Sequence, residues 1–177
     1  GQYLLPGCID DQVHFREPGL THKATISTES KACVAGGITS YLEMPNTNPQ
    51  TTNSDAYSKK LAVAAQTSWV NYGFMFGGTN DNLEQVKAIN PKTTPALKLF
   101  LGSSTANMLV DDPNTLKELF STFKLPISVH CEDEQTIKTN LAKYKETFGD
   151  AIPIAHHPDI RSEEACYLSL IHISEPT

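Results

Sequence analysis

The chain lacks several features that would identify a protein class at once. It has no closely spaced CxxC pair, which excludes a zinc-ribbon pattern and a disulfide scaffold. No signal peptide is recognised, and no apolar run is long enough to span a bilayer. We therefore expect a cytoplasmic protein whose four scattered cysteines are free thiols: Cys8, Cys33, Cys131 and Cys166.

Basic residues are also few. The 14 Lys and Arg residues are outnumbered by 20 Asp and Glu residues, so the formal net charge is −6. This balance argues against nucleic acid or an anionic membrane as the main partner, and we expect neither. A small anionic substrate stays open, because a local pocket can be positive on an acidic protein. The length of 177 residues is enough for one domain with a core.

The chain does contain a regular alternation of strand-like and helix-like segments. The alternation with short turns predicts a parallel sheet with helices outside it. A doubly wound sheet fits as well, but no GxGxxG motif follows the first strand. A full barrel needs about 250 residues, so we predict an α/β fold that is a partial (β/α)8 TIM barrel of about five βα units. The predicted strands are residues 3–9, 38–44, 69–76, 96–101 and 126–131.

The two ends of the chain are unusual. It begins without Met, and its last ten residues, LSLIHISEPT, match a reading frame of a transposase-type sequencing adapter. We therefore expect a truncated barrel domain at residues 1–167 and a non-native tail at residues 168–177. His172 and Glu175, which fall in this tail, are given no role.

Polar residues at the ends of four predicted strands are the candidates for a site, because barrel active sites lie at the carboxyl ends of the strands. Alternation turns Lys98 toward the barrel interior, where a lysine is costly unless it is neutralised. The alternative is a tilted strand that lets Lys98 reach water. His130 ends another strand with three acids close behind it, and a structural histidine is the alternative there.

The first two strands are each followed by further candidates. His14 and Arg16 follow the first strand, and an arginine there offers a planar fork for a carboxylate. An ordinary surface ion pair of Arg16 with Glu17 is the alternative. Asn46 follows the second strand in a turn rich in Pro and Asn, where turn chemistry alone also explains it.

Four motifs together resemble the dihydroorotases of the cyclic amidohydrolase superfamily, over residues 3–167. They are DDQVHFREPGLTHK, EMPNTNPQT, LKLFLGSST and VHCEDE, in this order. The resemblance implies a (β/α)8 barrel and a small β-sandwich. It implies the interconversion of L-dihydroorotate and N-carbamoyl-L-aspartate in pyrimidine biosynthesis, with one or two zinc ions. It also implies site roles: His14, Lys98 and His130 as metal ligands, Lys98 after carboxylation by CO2, and Arg16 and Asn46 as the residues that hold the substrate carboxylate.

Two departures from the family pattern leave alternatives open. Gln12 stands where the first histidine of the HxH motif is usual, and glutamine is a poor zinc ligand beside imidazole. The catalytic aspartate of the family would lie beyond Tyr167, so we expect the chain alone to be inactive. A hydantoinase or allantoinase and a non-catalytic dihydroorotase-like subunit remain alternatives. The resemblance also implies that the full-length protein forms a homodimer or associates with aspartate transcarbamoylase.

Overall fold

The fold consists of short parallel strands that alternate with helices. The computed structural model describes residues 1–102 and 106–174. The strands are β1 (Cys8–Val13), β2 (Ile38–Glu43), β3 (Asn71–Phe74), β4 (Phe76–Gly77), β5 (Leu97–Phe100) and β6 (Ile127–His130). The helices are α1 (Ile26–Gly36), α2 (Ser54–Thr67), α3 (Leu83–Lys87), α4 (Pro113–Thr122), α5 (Glu134–Phe148), α6 (His157–Ile160) and α7 (Glu163–Ser174).

The strands form two three-stranded parallel sheets, in the orders β1-β2-β3 and β4-β5-β6. Every neighbour in a sheet is also the neighbour along the chain, and only Met75 separates β3 from β4. Sequential parallel strands joined by helices form an arc of a (β/α)8 barrel. The described residues form this open arc and no closed barrel. The predicted parallel α/β architecture is therefore present.

Two of the predicted strands are wrong in their bounds. The first was expected at residues 3–9, but β1 begins at Cys8, and the apolar side chains of Tyr3 and Leu4 are 94% and 99% exposed. Pairing with β2 determines where β1 begins and ends, since Cys8 lies opposite Ile38 and Val13 lies opposite Glu43. An apolar run without a pairing partner among the described residues does not become a strand.

The segment predicted as one strand at residues 69–76 is interrupted because the chain changes partners at Met75. The Met75 N–H donates to the carbonyl of Glu43 at 2.9 Å, whereas the Phe76 N–H donates to the carbonyl of Ala96 at 3.1 Å. The first contact belongs to β2 and the second to the start of β5. The break lets one segment connect the two halves of the arc.

The helix ends follow local capping chemistry. Thr25 and Thr28 form a capping box at the start of α1, and Gly37 closes that helix with φ 77°. Asn53 accepts a hydrogen bond from the Ala56 N–H at the start of α2, and Pro113 occupies the first turn of α4. The predicted helix starts at Asn53 and Pro113 and the predicted glycine cap are confirmed.

The two faces of β5 pack against different groups. Leu97, Leu99 and Leu101 belong to the large core cluster, which also contains side chains of the surrounding helices. Ala96 belongs to a small separate cluster with Met44 and Met75. This separation agrees with the predicted alternation, in which the leucines face the helices and the other set faces the barrel interior.

Two stretches named in the sequence fall partly outside the described residues. The motif LKLFLGSST ends in residues 103–105, which lie outside the described residues. In the predicted tail, residues 175–177, which include Glu175, also lie outside them, while the preceding residues continue α7 to Ser174. None of the helices within residues 1–102 and 106–174 has the length and apolarity needed to cross a membrane.

The core packing around β5 generates a prediction. Leu99→Ala should lower the free energy of unfolding by about 2–5 kcal/mol, because Leu99 is fully buried and its loss leaves a cavity. Leu4→Ala, which removes the same atoms from a 99% exposed side chain, should change it by less than about 0.5 kcal/mol. Urea denaturation of the full-length protein measures both, and equal effects would contradict the assignment of Leu99 to the core.

Candidate active site

The candidate residues lie at or near the carboxyl ends of four strands. His14 and Arg16 follow β1, and Asn46 follows β2. Lys98 lies within β5 and His130 is the last residue of β6. The carboxyl ends of parallel strands meet at one edge, so the backbone brings these residues to the same side of the arc.

His14 and Asn46 are in direct contact. The Nδ1 atom of His14 lies 2.9 Å from Oδ1 of Asn46, which joins the end of β1 to the loop after β2. An amide oxygen only accepts hydrogen bonds, so Nδ1 carries the proton and the lone pair lies on Nε2. Burial, and then the charge of Arg16, lower the pKa of His14, although the bond to Asn46 opposes them. The imidazole is therefore kept neutral, the form that binds metals.

Arg16 has a left-handed backbone, with φ 68°. This conformation is uncommon for residues other than glycine and is often found at functional sites. The carboxylate of Glu17 accepts a hydrogen bond from the Ile26 N–H at 2.8 Å, at the start of α1. Among the described residues, Glu17 and Arg16 form no ion pair, so the guanidinium is not accounted for by the surface pair considered above.

Lys98 is buried, with 3% of its surface exposed. Its Nζ atom donates to Oγ of Ser128 at 3.5 Å and lies 5.2 Å from the centroid of the Phe100 ring. Within the described ranges, no carboxylate forms an ion pair with it. Burial lowers the pKa of Lys98, opposed only by Cys131. The alternative in which this side chain extends to water does not fit this burial.

His130 belongs to a charged network. Its Nε2 atom lies 3.0 Å from Oε2 of Glu132, and both oxygens of that carboxylate accept from Nη1 of Arg161 at 2.5 Å. Burial alone would raise the pKa of Glu132, but the hydrogen bonds from Arg161 and His130 outweigh it, so the pKa is lowered. Since Nε2 of His130 is engaged by a carboxylate, Nδ1 is its nitrogen left for another ligand.

Sequence reasoning missed the ion pair between Glu43 and Lys60. Nζ of Lys60 lies 2.7 Å from Oε2 of Glu43, and neither side chain has any exposed surface. The sequence pattern places both residues on faces that are otherwise core-forming. Glu43 shares its strand face with the core residue Tyr41, and Lys60 lies on one helical stripe with the buried alanines Ala56 and Ala64. Opposite charges on two core-facing surfaces indicate a buried pair.

The donors fit zinc only in part. Residues 1–102 and 106–174 contain no cluster of three or more His, Cys, Asp or Glu side chains placed to hold a metal ion. The available donors are the imidazoles of His14 and His130 and the buried amine of Lys98, which becomes an anionic oxygen ligand only when it is carboxylated. Gln12 is exposed in β1, where its N–H donates to Asp10 Oδ1 at 3.2 Å.

Comparisons with known proteins identify the family of this chain and support its fold. The amidohydrolase family model matches residues 3–164. The allantoinase of Desulfitobacterium hafniense strain Y51 is 33% identical over 98% of the chain. The dihydroorotase of Methanothermobacter thermautotrophicus is 31% identical over 97% of it. The L-hydantoinase (dihydropyrimidinase) from Arthrobacter aurescens superposes with a TM-score of 0.87 at 25% identity over 94% of the chain.

The chain spans less than half of each of these proteins: 43% of the allantoinase, 40% of the dihydroorotase and 38% of the hydantoinase. The structural likeness confirms the predicted partial (β/α)8 barrel. The predicted resemblance to dihydroorotases of the cyclic amidohydrolase superfamily is confirmed as well. With the family model matching nearly its whole length, this chain belongs to the amidohydrolase family.

Proposed function

We propose that this chain carries part of the active site of a zinc-dependent dihydroorotase, which interconverts L-dihydroorotate and N-carbamoyl-L-aspartate. The observation that carries the proposal is Lys98, a buried amine without an ion-pair partner among the described residues. Such an amine has no structural benefit, because burying an unpaired charge is costly. It does have the property that carboxylation requires.

Carboxylation needs a neutral amine. The lone pair on Nζ of Lys98 forms a bond to the carbon of CO2, and a proton leaves the nitrogen, so a cation is replaced by a carbamate anion. Burial lowers the pKa of Lys98 and so increases the neutral fraction. The carbamate, together with His14 Nε2 and His130 Nδ1, would supply the oxygen and nitrogen ligands that zinc prefers. Zinc, when bound, supplies Lewis-acid activation of the amide carbonyl.

Arg16 and Asn46 would bind the carboxylate of the substrate. The guanidinium of Arg16 offers two parallel donors to a carboxylate. Asn46 uses its oxygen to accept from His14, so its amide nitrogen is the group that donates to substrate. One residue thereby contacts both the metal ligand and the substrate, which fixes the ring relative to His14.

A hydantoinase or allantoinase is the second candidate, favoured by the similarity to the allantoinase of Desulfitobacterium hafniense and by the structural likeness to L-hydantoinase. Arg16 together with Asn46 favours a substrate that carries a carboxylate, and so the first candidate. Because the chain spans about two fifths of its relatives, we infer that further catalytic residues lie outside it. The activity tests therefore use the full-length protein. The cytoplasmic location and an association with aspartate transcarbamoylase stay predictions.

The first test concerns substrate choice. The full-length protein should hydrolyse dihydroorotate with a higher kcat/KM than hydantoin or allantoin. Arg16→Met should raise the KM for dihydroorotate roughly 10- to 100-fold, because a charge-assisted pair to the carboxylate is lost. Lys23→Met removes an exposed cation from the same region and should leave KM unchanged. Preference for a neutral ring in the unaltered protein would favour the second candidate.

The second test concerns zinc. Lys98→Met keeps an apolar stem of similar length in the buried site but cannot be carboxylated, so zinc content measured by plasma mass spectrometry should fall to near zero. Lys117→Met, at an exposed position of α4, should retain full zinc. Absence of zinc from the unaltered full-length protein would instead support a non-catalytic subunit.

The third test concerns the orientation of His130. Glu132→Gln weakens the acceptor that holds Nε2 of His130 and also removes the ion pair with Arg161. Outer partners of this kind typically contribute about 10- to 100-fold to metal affinity, so a similar loss is expected in a zinc competition titration. Glu146→Gln on the exposed side of α5 is the control. Unchanged zinc affinity in the Glu132 variant would remove His130 from the ligand set.

A further inference from the structure

We propose that the buried ion pair of Glu43 and Lys60 is the positioning device that fixes Arg16 and Asn46 relative to each other. This inference rests on the proposed function, in which those two residues bind the substrate carboxylate. Neither Glu43 nor Lys60 would contact substrate or metal. Each would act through the backbone that it holds.

Lys60 holds the loop that carries Asn46. Its ammonium lies 2.7 Å from Glu43, donates to the carbonyl of Met44 at 3.1 Å and reaches Oγ1 of Thr51 at 3.5 Å. Met44 and Thr51 lie on either side of Asn46 in the loop between β2 and α2. One buried cation thus fastens both ends of this loop to the helix.

Glu43 holds the segment that carries Arg16. The backbone N–H groups of Phe15 and Arg16 lower the pKa of its carboxyl group, although neither oxygen has a hydrogen-bond partner of good geometry among the described residues. Burial raises the pKa of Glu43, and Lys60 and the two amides oppose this. The strand register adds to the contact, because Glu43 lies opposite Val13 and the Met44 N–H donates to the Val13 carbonyl at 3.0 Å.

The backbone of Arg16 needs such a support. A non-glycine residue at φ 68° persists only when its surroundings over-determine the conformation. Glu43 lies opposite Val13, three residues before Arg16, and Nζ of Lys60 holds its carboxylate in the core at 2.7 Å. The ion pair therefore connects the segment after β1, where the backbone of Arg16 is strained, to the loop after β2. The His14–Asn46 hydrogen bond is a second contact between the same two segments.

Stability alone does not explain the pair. Apolar side chains of similar size in place of a buried ion pair are often neutral or stabilising, whereas loss of one partner is strongly destabilising. Lys60 lies between Ala56 and Ala64 on a stripe that would otherwise be apolar. A positioning role accounts for a charge at this place, and it makes a prediction that a purely structural role does not.

The experiment compares single and double variants of the full-length protein with a matched control. Lys60→Met and Glu43→Gln should each raise the KM for dihydroorotate at least about tenfold, since a displacement of about 1 Å can cost 100-fold, with kcat changed by less than about threefold. The double variant E43Q/K60M should regain thermal stability relative to K60M but keep the raised KM. Lys59→Met alters the neighbouring exposed lysine, paired with Asp55 at 2.7 Å, and should change neither value.

A KM that recovers together with stability in the double variant would overturn the positioning role. So would a fall in kcat without a change in KM. If K60M does not fold, E43Q tests the same prediction of a raised KM, because glutamine keeps the shape of the glutamate side chain.

A second readout does not depend on activity. Hydrogen exchange at the amides of Phe15 and Arg16 should accelerate at least about tenfold in E43Q and in the double variant, but not in K59M, because local opening is measured in this way. Unchanged exchange in the folded variants would overturn the inference whatever the enzyme does. Failure of the unaltered protein to hydrolyse any cyclic amide, with accelerated exchange in the variants, would overturn only the proposed function.

Discussion

Burial of positive charge at the carboxyl edge of the sheet is the constraint on which the site depends. Two lysines are buried there, and they differ in whether the described residues supply an anionic partner. Lys60 has an anionic partner in Glu43, and its remaining contacts are a carbonyl and a hydroxyl, so its charge is compensated inside the core. Lys98 has a serine hydroxyl and an aromatic face nearby, and none of the residues that the structure describes supplies it with a carboxylate. The first arrangement holds a backbone in place. The second leaves a buried amine whose charge is unfavourable, the property on which the proposed carboxylation of Lys98 rests.

The parallel strands convert this local chemistry into a site. Each strand ends at the same edge, so one or two side chains from each are enough to line it. Two of these contributions are already joined within the described structure: β1 supplies His14 and Arg16, and the loop after β2 supplies Asn46, which contacts His14. The break at Met75 transfers the chain from β2 to β5 and so connects this pair to Lys98 in the second half of the arc. His130 is the least buried of the group, and its Nε2 atom lies 3.0 Å from Glu132, which in turn pairs with Arg161.

Much of the fold followed from local patterns, whereas the links within the site did not. The inward direction of Lys98 could be predicted because strand side chains alternate with a period of two, and the helix starts at Asn53 and Pro113 because capping depends on near neighbours. The start of β1 could not, since pairing with β2 and not apolar content selects Cys8. The partners of His14 and Lys60 lie 32 and 16–17 residues away along the chain, at Asn46, Met44 and Glu43, and such contacts exist only after strands and helices pack. Complementary charges on two core-facing stripes were the one sequence signal available for the buried pair.

The hydrogen bond between His14 and Asn46 lets one asparagine side chain serve two roles in the candidate site. Asn46 fixes the proton of His14 on Nδ1, which leaves the lone pair on Nε2. In the proposed function, Nε2 would then bind the metal and the amide nitrogen of Asn46 would bind the substrate. A shift of the loop after β2 would therefore disturb the histidine and the substrate contact at the same time. In the proposed function, that double dependence gives a reason for Lys60 to anchor both ends of the loop and to pair with Glu43, which lies opposite Val13 in the strand before Arg16. In the proposed function, metal binding and carboxylate recognition would both depend on the same placement of β1 against β2.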